Sequence, residues 1–147
     1  MESGDNKRTH LEMIQDVINR MASNSFLLKG WSITIVSALF AMGVKDMNLS
    51  FVCIAFLPAL FFWILDGYFL WQERLFRKLY DEVRLRDEDD IDFSMKTNFQ
   101  EDIGDNDSWR NAVFSKTLKI FYIPVLIVIL IVVMLVLGVS NINEGVI

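Results

Sequence analysis

"IFYIPVLIVILIVVMLVLGV", Ile120 to Val139, carries no charge across twenty residues. At about 1.5 Å per helical residue it extends about 30 Å, the thickness of a bilayer's hydrocarbon core. A helix on a water-soluble domain keeps a polar stripe, and this one has none. The stretch reads as a transmembrane helix, so lipid is the solvent against which the rest of the chain is read.

Two further apolar blocks lie upstream, Phe26 to Val44 and Leu49 to Trp71. The second contains Pro58, Asp66 and Gly67, and the first has Lys29 near its start. Both read as spans, because a charge near a helix end costs far less than the ~2.5–3.5 kcal/mol of one at mid-bilayer. Only residues 45–48 separate them, so they form a helical hairpin. With 53% hydrophobic residues in a 147-residue chain, the composition is more apolar than that of an average soluble domain. The first 25 residues are polar or amphipathic and show no cleavable signal, so the first span is expected to act as its own uncleaved anchor.

Positive charge sets the expected orientation. Lys7, Arg8 and Arg20 precede the first span, and nine Lys or Arg lie in residues 72–119. The tail 140–147 has none. The N-terminus and the long connection are therefore expected on the cytoplasmic side, and the C-terminus outside. The plan is an all-α membrane protein, a homo-oligomer of three transmembrane helices with amphipathic cytoplasmic extensions. Its parts are a cytoplasmic amphipathic helix (1–25), spans at 26–44, 49–71 and 120–139, an outer turn (45–48), a cytoplasmic connection (72–119) and an outer tail (140–147).

The extensions are patterned. Leu11, Ile14, Ile18 and Met21 fall on one helical side, joined by Val17, and Ser25, Lys29 and Ser32 continue the stripe. This side rests on the membrane, packs on its own chain, or forms a seam between copies. Beyond Trp71, Arg74, Arg77, Lys78, Arg84 and Arg86 share an arc with Glu73, Asp81 and Glu82. That arc is either a self-paired solvated face or, with Arg20, a rim for anionic lipid, a nucleotide or a short oligonucleotide. Residues 87–107 follow with nine acids against Lys96, a pattern expected of a solvated loop. The calcium-loop spacing is only partly met around Asp102 and Asp105. "SWRNAVFSKTLK", 108–119, reads as a short interfacial helix.

Asp66 lies about five residues, roughly 7–8 Å, inside the cytoplasmic end of the second span, and Lys29 lies about as deep on the first. The two are expected to pair, within one chain or between chains, because a nearby ammonium keeps a buried carboxylate charged. The alternatives are Arg74 or Lys119 as the partner of Asp66, or each group reaching the interface alone.

Catalytic chemistry is not visible. The single histidine, His10, reads as a surface residue, and Cys53 lies within a span. No metal-ligand spacing, phosphate loop or nucleophile motif occurs, so no enzyme, metal or cofactor is expected. A channel needs small or polar residues toward a lumen. The first span alone carries Gly30, Ser32, Thr34, Ser37, Ala38, Ala41 and Gly43; if copies assemble it is expected nearest the axis, and otherwise these small residues only let the hairpin pack tightly. Asn19, Asn24, Ser25 and Ser32 are the lining candidates.

The pair of segments "HLEMIQDVINRMASNSFLLKGWSITIVSALFA" and "LPALFFWILDGYFLWQERLFRKLYDEVR" resembles small bacterial membrane proteins of antiphage-defence loci. In plan it is similar to SLATT-type effectors, a transmembrane hairpin flanked by cytoplasmic helices, and to the channel effectors of Hailong-type systems. The resemblance covers roughly residues 19–86, and the third span departs from the two-span SLATT plan. It implies an oligomeric inner-membrane channel, closed until infection, that acts by depolarisation. It also implies a cytoplasmic defence-system partner, a nucleotidyltransferase making a short DNA oligomer that holds the channel shut. The contacts would be the Arg74–Arg86 rim, or Arg20 and Lys29. The rival expectation is an anchor or accessory subunit that recruits a cytoplasmic partner.

Overall fold

The computed structural model describes residues 3–45, 49–97 and 108–144, and these form helices without a strand. Helix α1, Ser3–Lys45, is unbroken over 43 residues. At the helical rise it is about 65 Å long, twice the thickness of a bilayer core. Asp5 in its first turn and Lys45 in its last complement the helix dipole. Residues 46–48, most of the expected outer turn, lie outside the described residues.

The second apolar block is split. Helix α2, Leu49–Ile54, ends before Ala55, and α3 runs over Phe56–Leu85. Pro58 explains the break, because it lacks the N–H that would bond to the Ile54 carbonyl. The Ala55 N–H turns back to the Val52 carbonyl at 3.2 Å, tightening the chain there. A 3-10 turn, Glu88–Asp90, follows α3. Helix α4, Trp109–Val113, is short, and α5 runs from Lys116 to Glu144. Ser108 and Ser115 cap the last two, accepting the N–H of Asn111 (3.4 Å) and Leu118 (3.5 Å). The expected single interfacial helix over 108–119 is thus two elements. Lys116 and Lys119 belong to the third long helix, because the Ser115 cap restarts it.

α1, α2 with α3, and α5 each supply a helix long and apolar enough to cross a membrane. Their outward surface is greasy: Trp31, Phe61, Ile120, Met134 and Leu135 are all more than half exposed. Continuous apolar surface of this kind is suited to lipid rather than water.

The chain divides into two units. The first comprises residues 1–26 and 67–113. Its core is Ile14, Ile18, Val83 and Ile91, with Leu11, Phe76, Leu79 and Tyr80 packed against it. The second comprises residues 27–66 and 114–147. Its core is Val36, Ala55, Ala59 and Ile129, with Leu39, Phe40 and Val125 around it. The two alanines, both fully buried, let neighbouring helices come close.

Gly67 has a comparable role in the first unit. A Cβ there would lie 2.4 Å from Val113 Cγ2 and 2.9 Å from Val113 Cα, so α4 rests directly on the α3 backbone. A Cβ at Gly30 would meet nothing within 4 Å. Gly67→Ala is expected to lower stability by about 1–3 kcal/mol through overpacking. Gly30→Ala should be neutral or stabilising by up to about 1 kcal/mol. Thermal unfolding of the two variants in detergent checks the contrast, and equal melting points would refute it.

Candidate functional site

Asp66 is fully buried. Leaving a carboxylate uncompensated in apolar surroundings is prohibitively costly, so it must be paired, hydrogen-bonded or neutralised. Here the Lys29 Nζ of α1 lies 2.6 Å from Asp66 Oδ2 of α3, within one chain. The Lys29 side chain keeps 21% exposure, so its stem is partly covered. Its ammonium also sits 5.9 Å from the Phe121 ring centroid, within range of a cation–π contact.

The third long helix completes the group. Tyr122 of α5 is fully buried, and its side chain interacts electrostatically with Asp66. Its hydroxyl lacks a well-formed hydrogen bond. Trp63, one turn before Asp66 on α3, stacks on the Tyr122 ring at 5.8 Å and 3°. Phe114 meets Trp63 edge-on at 6.2 Å. These rings set the position of the phenol beside the carboxylate. Three helices thus contribute one polar group each: an ammonium, a carboxylate and a hydroxyl.

Ser32, the next turn of α1 after Lys29, is also fully buried, and its hydroxyl has no hydrogen-bond partner. Ser25 and Asn24 are half-buried. Asn19 is exposed and accepts from Gln15 Nε2 at 3.1 Å. The four lining candidates therefore do not share one environment. A different face of α1, carrying Gly30, Thr34, Ser37, Ala38 and Ala41, is exposed. On it, the Thr34 hydroxyl donates to the Gly30 carbonyl at 2.9 Å.

The basic arc is largely self-paired. Arg77 contacts Glu73 at 2.7 Å, Arg84 contacts Asp81 at 3.3 Å, and Arg86 pairs with Glu82. Arg20 and Lys78 are exposed and Arg74 is half-buried. His10 is not a surface residue: it is 4% exposed, covered by the Phe93 ring from the segment after α3. In the described part of that segment, residues 87–97, Ile91 is buried in the first core. Among the described residues, no three His, Cys, Asp or Glu side chains converge as metal ligands. Asp102 and Asp105 lie outside the described residues.

Sequence reasoning missed Tyr122, because the third span has no charge to mark a polar contact. The available signal was a tyrosine, apolar in body and polar at its tip, within a run of Val, Ile and Leu. Comparison with protein-family models, curated proteins and solved structures finds no match.

Removing one member of the ion pair leaves the other buried and alone. Lys29→Met or Asp66→Asn is expected to cost about 3–5 kcal/mol, and the double variant less than the sum. Tyr122→Phe, which removes a hydroxyl without a well-formed hydrogen bond, should change stability by less than about 1 kcal/mol. The charge swap Lys29→Asp with Asp66→Lys should recover part of the loss. Unfolding of detergent-solubilised variants measures the cycle, and strictly additive losses would contradict a direct pair.

Proposed function

We propose that this chain is the subunit of a homo-oligomeric ion channel or pore-forming effector in a bacterial inner membrane. It acts by depolarisation, in antiphage defence, and is gated from the cytoplasmic side. The observation that carries the reading is the exposed α1 face of Gly30, Thr34, Ser37, Ala38 and Ala41. The remaining outward surface of the long helices is mostly bulky aliphatic and aromatic. Small residues permit close approach of a second helix, and hydroxyls on the same face suit water. In this assembly the α1 face of each copy turns toward the axis, while α5 faces lipid.

The distribution of Lys and Arg supports a cytoplasmic N-terminus and a C-terminus outside. The resemblance of residues 19–86 to SLATT-type and Hailong-type effectors supports the defence role and a cytoplasmic partner. Arg20, Arg74, Arg77, Lys78, Arg84 and Arg86 are then the proposed contacts for anionic lipid or a nucleotide or oligonucleotide ligand. Carboxylates already hold three of these guanidinium groups, so such a ligand must compete with Glu73, Asp81 and Glu82.

One observation favours the alternative, a membrane anchor that recruits a cytoplasmic partner. The Thr34 hydroxyl is satisfied by its own helix and needs no water-filled lumen. Induction in cells loaded with a potential-sensitive dye separates the two readings. A channel collapses the potential, and Ser37→Leu, which fills the proposed lumen, sharply reduces that collapse. An intact potential on induction, with and without phage challenge, excludes the channel and leaves the anchor.

A further inference from the structure

Residues 86–97 lie along the beginning of α1 within the first unit. The Lys7 ammonium donates to the carbonyl of Arg84 in the last turn of α3, at 3.1 Å, and to that of Arg86 just beyond. The Glu88 carboxylate accepts the Lys7 N–H at 3.4 Å. Ile91 is the single large apolar side chain of the segment that joins the first core. The Phe93 ring meets His10 at 5.6 Å and 75°.

These contacts work against the local backbone. Phe93 has φ 53°, the only positive value for a non-glycine among the described residues. The left-handed region is unfavourable for any residue with a Cβ. Asp87, Asp89, Asp90 and Asp92 stay exposed, and the two hydrogen bonds of the Lys7 ammonium are exposed as well. Solvent-exposed hydrogen bonds and stored strain mark an element at the low-stability end of its fold.

We infer that residues 86–97 are a releasable latch. Docked, they tie the first turns of α1 to the end of α3. Released, they leave those two helix ends free to part, while Ile14, Ile18 and Val83 stay packed. The contacts joined by the latch are all within one unit, so it operates whether or not the chain conducts ions. If the channel reading holds as well, the latch acts on the same two helices that carry Lys29 and Asp66.

Hydrogen exchange of the full-length chain in lipid nanodiscs, read by mass spectrometry, tests the inference. Phe93→Ala removes the ring and keeps the strain. It is expected to speed exchange of amides 86–97 and 5–10 by about tenfold, the worth of an edge-to-face pair, with 14–18 unchanged. Lys7→Gln should act in the same direction. Phe93→Gly should speed exchange less than Phe93→Ala, because glycine accepts the left-handed backbone without strain. No acceleration in either Phe93→Ala or Lys7→Gln would overturn the latch. Acceleration spread equally into residues 14–18 would make the segment an ordinary part of one cooperative fold. A glycine variant faster than the alanine variant would refute the role of strain.

Discussion

The Asp66 carboxylate, fully buried and 2.6 Å from the Lys29 ammonium, is the constraint on which the second unit depends. An apolar pairing of the same helices would tolerate rotation or slippage, since one aliphatic contact substitutes for another. A buried charge does not, because displacement leaves it uncompensated. Lys29 fixes one rotation and one height of α1 relative to Asp66. Tyr122, held by its stack on Trp63, ties α5 to the same point. The gain is registry more than net stability, because desolvating two charges offsets much of their attraction.

That registry decides which residues of α1 face outward. With Lys29, Ser32 and Val36 directed inward, Gly30, Thr34, Ser37 and Ala38 are left exposed. The proposed assembly uses this outward face, so the ion pair determines the surface that a second copy would meet. The same long helices connect the site to the first unit in sequence: α1 contains both Lys7 and Lys29, and α3 contains both Asp66 and Arg84. A latch acting on Lys7 and Arg84 therefore works on the two helices that the ion pair joins.

Sequence reasoning reached the helices because their signal is local. A twenty-residue uncharged run such as 120–139 needs no tertiary information, and the structure contains three helices long and apolar enough to cross a membrane. Lys29 and Asp66 were legible as buried charges at similar depth on neighbouring helices, but their distance was not. Other features depend on contacts between distant residues. His10 read as exposed because Phe93, which covers it, lies 83 positions away in the chain. Tyr122 read as one more apolar residue because its partners, Trp63 and Asp66, come from another helix. The break at Ala55, not expected within the 49–71 span, follows from Pro58, whose missing N–H acts four residues earlier. The self-pairing of Arg77 with Glu73 follows from helical spacing, which is why the basic arc read equally well as a solvated face.

Solid-state NMR of the full chain in bilayers, with lysine Nζ labelled with 15N and aspartate Cγ with 13C, tests the central pairing most directly. The account expects a dipolar cross-peak between Lys29 and Asp66 that is absent in Asp66→Asn. The peak should persist when labelled chains are diluted into unlabelled ones, because the pair lies within one chain. Absence of the peak, or its loss on dilution, would contradict the account.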